Sequence, residues 1–158
     1  MISLAIDGAL FNYRVAGVAV LEGKVLLHKT PSDNFWSLPG GRASLFEFSK
    51  DTLVREMMEE TSMHIEVQEL LWISENFFIY NGTKHHELGF YYKMAITDLK
   101  DQQDFIGVEG DSELLFKWHP IADIASIRIY PEFLAEELSQ NSLRVKQFTS
   151  DFQNLDRL

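Results

Sequence analysis

The stretch Gly40–Met63, GGRASLFEFSKDTLVREMMEETSM, constrains this chain more than any other part of it. Its second half, Arg55-Glu56-Met57-Met58-Glu59-Glu60, reads as helical. A helix turns about 100° per residue, so Glu56, Glu59 and Glu60 fall within one arc of roughly 100°. Leu53, Val54, Met57, Met58 and Thr61 occupy another side, the side expected to face a core. Glu56 meets Glu59 and Glu60 three and four residues on, and each like-charge pair costs about 0.2–0.5 kcal/mol unless a cation sits between them. A hard divalent cation held by carboxylate oxygens meets that need. The plain alternative is a solvated Glu-rich face, since Glu is a good helix former. The preceding segment weighs toward the cation. Leu38-Pro39-Gly40-Gly41 is a turn whose two glycines can bring backbone carbonyls close to a metal or a phosphate. Glu47 follows Gly41 by six residues and Arg55 follows Glu47 by eight.

The combined spacing resembles the signature of the Nudix hydrolases: Gly, five residues, Glu, seven residues, Arg-Glu, apolar, any, Glu-Glu, any, Gly, apolar. Gly41, Glu47, Arg55, Glu56, Met57, Glu59, Glu60 and Met63 match it, and Ser62 stands where the family has its last Gly. The resemblance implies an α/β fold, a Nudix-type α/β/α sandwich with a mixed sheet and a loop–helix–loop metal site. It implies hydrolysis of a pyrophosphate linkage in a nucleoside diphosphate derivative (a nucleotide sugar, dinucleotide or nucleoside triphosphate) with Mg²⁺ or Mn²⁺. A catalytically silent nucleotide-binding module on the same fold is the competing reading. Retention of Glu56, Glu59 and Glu60 favours the enzyme, because a pure binder has no need of all three.

By the same resemblance Glu56, Glu60, Glu59 and the Gly40 carbonyl are the metal ligands. The expected catalytic set is Glu59, Arg55, Glu47 and Glu113, with Arg55 orienting the carboxylates and Glu47 bracing the loop or adding an outer metal contact. The general base is either a Glu of the box or an acid from a later loop, Glu109 or Glu113, both of which also read as solvated surface acids. Trp36, Gly41 and Arg42 are the candidate substrate contacts, with packing beneath the turn the plainer reading for Trp36. His85-His86-Glu87 suggests a metal cluster, but a strand would send His85 and His86 to opposite faces, which leaves structural or substrate-contact roles. Phe77, Phe78, Tyr80 and Tyr91 could stack a base, although alternating aromatics in strands are mostly core. Ser44 and Phe46 stand where many members have Glu and Gly, which bears on loop shape and hence on substrate class.

At 158 residues, 46% hydrophobic and 13% aromatic, the chain is expected to form one domain over 1–158 with a sizeable core. It has no cysteine, which excludes disulfides and thiolate metal sites. No apolar run approaches the ~20 residues of a membrane span. Met1–Asp7 lacks a basic leader, so cytoplasmic residence is the expectation. A net charge of −10 argues against a grip on duplex nucleic acid and repels phosphate at long range. A small anionic substrate would therefore need metal as local counter-charge. A homodimer is compatible with all of this.

In chain order, residues 1–11 read as a short strand or arm. Tyr13–Leu21 and Lys24–His28 are strands about a Glu22-Gly23 turn, and Phe35–Leu38 is a short strand. The helix runs from Ser49 to Thr61 with Ser49 as N-cap. His64–Tyr80 and His85–Ile96 form a hairpin about Asn81-Gly82. Residues 98–111 read as a long loop, Glu113–Trp118 as a strand, and Pro120–Ala125 and Pro131–Gln140 as helical. The tail 144–158 is amphipathic without an assigned place.

Overall fold

The computed structural model describes residues 1–99, 101–140 and 145–156. Its first long strand, β2 (Ala9–Val18), follows the edge strand β1 (Ser3–Ile6) and lies parallel to β7 (Thr83–Ile96). β6 (Ile65–Tyr80) returns antiparallel to β7 through Asn81 and Gly82, both at positive φ, and Asp156 accepts hydrogen bonds from both backbone N–H groups of that turn. β10 (Lys146–Asn154) adds parallel to β6, and β5 (Gly40–Arg42) pairs with β2, completing a mixed sheet. A second sheet runs β3 (Val20–Leu21), β4 (Lys24–Lys29), β9 (Ser112–Pro120) and β8 (Phe105–Glu109).

Alternation along the strands builds two large cores among the described residues, beside a smaller cluster of Phe78, Tyr130 and Leu155. Val15, Leu26, Tyr92 and Phe116 pack with Leu53 and Met57 of α1 (Ser49–Thr61). Ala16, Leu27, Tyr91 and Trp72 point the other way, against Ile124 of a 3₁₀ turn (Ile121–Ser126) and Leu134 of the short α2 (Phe133–Glu137). The result is an α/β sandwich with helices on both faces. Leu53 and Met57 are fully buried, and each contributes about 1.5–3 kcal/mol by leaving water. Among the described residues no helix is long and apolar enough to cross a membrane.

Three expectations need correction here. The 98–111 stretch, of which Lys100 lies outside the described residues, carries β8, because Phe105 to Glu109 pairs in register with Ser112 to Phe116. Its Gly107 sits against the end of α1, where a Cβ would lie 2.5 Å from the Glu60 carbonyl oxygen. The tail is strand β10, with Arg144, Arg157 and Leu158 outside the described residues. Ser49 does not cap α1: Phe48 is the N-cap residue, and the Ser49 hydroxyl is 2.6 Å from the Tyr92 hydroxyl instead.

Ser62 closes α1 at φ 58°, ψ 22°, with its N–H donated to the Met58 carbonyl. A residue with a Cβ held there costs on the order of 1 kcal/mol, which Gly avoids. Gly also loosens the unfolded chain, which takes back ~0.4–1 kcal/mol. Ser62→Gly should therefore raise stability by only a few tenths of a kcal/mol, read as a small upward shift in the urea midpoint. A clear fall in that midpoint would contradict the assignment.

Candidate active site

Arg55 lies at the centre of the box. Its Nε and Nη2 donate to the two oxygens of Glu47 at 2.8 and 3.0 Å, and Nη1 donates to Glu56 Oε1 at 2.7 Å and Glu59 Oε2 at 3.2 Å. Nη2 also reaches the Arg42 carbonyl, tying helix to loop. Glu47 accepts in addition from the Ser44 N–H and the Thr52 hydroxyl. These bonds, the one from Arg55 foremost, bring the Glu47 pKa down to about 2.

The helix faces differ from the wheel. Val54 is exposed, and Met58 is half-buried. The inward arc is instead Thr52, Leu53, Glu56, Met57 and Glu60, so two carboxylates are buried. Glu56 lies over Gly41, where a Cβ would come within 2.2 Å of the carboxyl carbon, and glycine is what makes room for it. Glu60 is 4% exposed, and its Oε2 is buried without a hydrogen-bond partner. Burial pushes its pKa up to about 8, against the pull of Arg14 and with help from Glu56, Glu109 and Glu59. Glu59 stays on the exposed side of the helix.

Beside this helix a cavity of about 260 Å³ opens across the mixed sheet. Gly40, Arg42 and Glu109 line it, together with the aromatic side chains of Phe35, Phe78, Tyr80 and Tyr130. Asn12, Arg14, His85 and Glu87 also line it, and Arg14 donates to the Leu38 carbonyl at 2.9 Å. His28 lines it too, fully buried and held neutral, its pKa lowered to about 3 chiefly by burial and then by the Arg14 charge.

The cavity brings together Gly40, Arg42 and Glu109, but not Glu113 or Trp36. Leu114 lines the cavity, so strand alternation sends Glu113 to the other face, exposed opposite Val108. Phe35 and Ser37 line it, so Trp36 turns away to meet the edge of His119 at 4.6 Å, with the Lys29 ammonium 5.1 Å from its ring centroid. His86 is exposed while His85 and Glu87 point inward, and among the described residues no group of three metal-ligating side chains forms there. The sequence reading overlooked Asn12, Arg14 and His28, and weighed Glu87 only as part of a metal cluster. The signal for Asn12 and Arg14 is a polar side chain at alternate positions of an otherwise largely apolar strand, which strand parity alone does not aim at a cavity.

The family model for the NUDIX domain matches residues 12–139. This chain belongs to that family. It is 29% identical over 110 residues to an uncharacterised Nudix hydrolase of Bacillus subtilis (strain 168), YvcI, covering 70% of this chain and 66% of the relative. It is 31% identical over 133 residues to a putative mutator protein, MutT4, of Mycobacterium tuberculosis (strain CDC 1551 / Oshkosh), covering 82% of this chain and 48% of the relative. The chain thus spans about half to two thirds of the length of these curated relatives. A crystal structure of a MutT NUDIX hydrolase from Burkholderia pseudomallei shares the fold at TM-score 0.65 and 22% identity, over 82% of this chain and 98% of that one.

The lowered pKa values carry a sign that can be checked. Glu47 titrates below its usual 4.5, so its contribution is whole above 4.5 and lost as pH falls through about 2. His28 titrates below its usual 6.5, so the unfolded chain takes up the extra proton first and stability declines from 6.5 toward about 3. This His28 contribution approaches about 1.4 kcal/mol per pH unit. Urea midpoints measured at about pH 7 and pH 5 should fall less for His28→Gln than for the wild type. Equal falls would remove the role assigned to His28.

Proposed function

We propose that residues 1–158 act as one hydrolase domain that cleaves a pyrophosphate linkage in a nucleoside diphosphate derivative with Mg²⁺ or Mn²⁺. The observation that carries this reading is Glu60: a buried carboxylate whose Oε2 has no partner, beside Glu56, in the matched family segment. Leaving such an oxygen unpaired costs free energy that a bound cation would offset. Hydrolases of this family generally use divalent metal ions.

The donor set fits a hard cation. Arg55 takes only Oε1 of Glu56 and Oε2 of Glu59, so the second oxygen of each is not used by that guanidinium and would be available to a metal. Among the described residues no cluster of three such side chains is already drawn together, because the Arg55 guanidinium holds Glu47, Glu56 and Glu59 around itself. Glu56 and Glu60 are the principal ligands, with Glu59 and the Gly40 carbonyl beside them. A divalent cation bound there neutralises phosphate charge and acidifies water.

The chain's own groups supply the rest. Arg42 and Arg14 line the cavity and draw in the phosphates that the −10 net charge repels at long range. Gly41 keeps Glu56 close to the loop, and Glu47 anchors the Arg55 guanidinium where it also meets Glu56 and Glu59. Glu109 lines the cavity and is placed to take the proton as water attacks phosphorus and the bridging P–O bond breaks. This assigns the base to Glu109 and not to Glu113.

The test is a panel of nucleoside diphosphate derivatives with Mg²⁺ or Mn²⁺, with products identified. Glu60→Gln should lower kcat by several orders of magnitude on any substrate the parent cleaves, and near-full activity would overturn the ligand assignment. Millimolar Mg²⁺ should also raise the melting temperature, because it binds the folded cluster and not the unfolded chain. Indifference to Mg²⁺ would favour the solvated-face reading.

A further inference from the structure

Glu87 is a buried acid that phosphate handling leaves unused. On the sheet, Asn12, Glu87 and Asn76 lie side by side on β2, β7 and β6, and Ser150 of β10 continues the row. The far half of the row is satisfied internally: Ser150 donates to Asn76 Oδ1 and Asn76 to the Ser74 hydroxyl, each at 2.9 Å. The near half is not. Asn12 spends its Nδ2 on His85 Nδ1 at 3.0 Å, and its Oδ1 is buried with no partner. Glu87 is 8% exposed and lines the cavity, and among the described residues it makes no hydrogen bond or ion pair.

The walls around this pair are flat. Phe78 and His85 stack at 4.9 Å with planes 2° apart, Tyr130 meets Phe78 edge-on at 5.3 Å, and Phe35 meets Tyr80 edge-on at 5.9 Å. Aromatic walls with few polar groups at their base suit a planar heterocycle. Arg42, Gly40 and Glu109 line the same cavity, and the charges of Arg14 and Arg42 bear on Glu87.

We propose that Glu87 and Asn12 read the hydrogen-bonding edge of a nucleobase that enters this cavity and lies against its aromatic lining. The proposal rests on the nucleotide-derivative reading and names the groups that select within it. Burial raises the Glu87 pKa against the opposing charges of Arg14 and Arg42, so the carboxyl favours its neutral form. Tyr91 and Tyr130 also face it, and both have raised pKa values, so neither adds charge near neutrality. A neutral carboxyl offers one O–H donor and one C=O acceptor. With Asn12 Oδ1 as a further acceptor, the slot takes a base that presents an acceptor beside a donor. An ionised Glu87 would instead demand two donors. A ligand that lacks the matching edge leaves these buried groups unpaired, and that difference is the source of selectivity.

Isothermal titration of the four nucleoside 5′-monophosphates, with ribose 5-phosphate as the base-free probe, tests this. At least one monophosphate should bind the wild type about tenfold or more tighter than ribose 5-phosphate. Glu87→Gln should keep that margin, because an amide also offers a donor and an acceptor. Glu87→Met and Asn12→Leu should bring the monophosphate down to the ribose 5-phosphate level while leaving ribose 5-phosphate binding unchanged. Either apolar variant suffices if the other does not fold, as judged by its urea transition. The proposal is overturned if no monophosphate exceeds ribose 5-phosphate, if the apolar variants keep the margin, or if Glu87→Gln loses it as completely as they do. Hydrolysis assayed on the same samples separates the two readings. Cleavage without a base margin sinks the edge-reading pair alone, and a Glu87-dependent margin without cleavage sinks the hydrolase reading alone.

Discussion

One guanidinium holds the site in shape. Arg55 gives its N–H groups to three carboxylates and a backbone carbonyl, and so converts a like-charge cluster that would otherwise repel itself into a fixed arrangement. Its planar fork suits this task in a way a lysine ammonium would not, because two oxygens of Glu47 are met at once. The exposed members of the network add little to folding stability in themselves. What they supply is position: Glu47 pins the loop through Ser44 and Thr52, and the loop in turn carries Gly40 and Arg42 to the cavity.

Arg55 does not reach Glu60. That carboxylate is buried on the inward arc with one oxygen unpartnered, and its pKa is about 8, so the fold carries an unfavourable group where the family segment places its chemistry. A buried unsatisfied carboxyl is a poor choice for stability and a good one for a ligand that must prefer a cation to a proton. A second case is Asn12, whose Oδ1 is buried without a partner in the cavity that Glu87 also lines.

Much of the box was legible because its information is local. The 3.6-residue period and the cap residues bounded α1 at Ser49 and Thr61, and Ser62, which stands where the resembled family has Gly, is left-handed as a helix-closing residue commonly is. What the period could not give was rotation. Val54 was expected inside and is exposed, while Glu56 and Glu60 are inside, because the loop at Gly41 and strand β8 receive the helix by its polar edge. Ser49 was a plausible cap until Tyr92, 43 residues away, took its hydroxyl. Strand parity decided the remaining differences. Trp36 and Glu113 each flank cavity-lining residues and so point away, whereas Asn12 and Glu87 fall on the inward parity of two strands that meet only through the parallel pairing of β2 with β7. No local pattern encodes that pairing. The tail strand β10 was illegible for the same reason, since its partner is β6, far back in the chain.

The central claim is that Glu56 and Glu60, set in place by Arg55 and Gly41, form a divalent-cation site. Titration of Mn²⁺ followed by electron paramagnetic resonance counts free ion directly and needs no substrate. The account predicts that the wild type depletes the free Mn²⁺ signal at micromolar to millimolar ion and that Glu60→Gln weakens this binding by about tenfold or more, an expected loss of over ~1.4 kcal/mol. Equal depletion by the two proteins would contradict it.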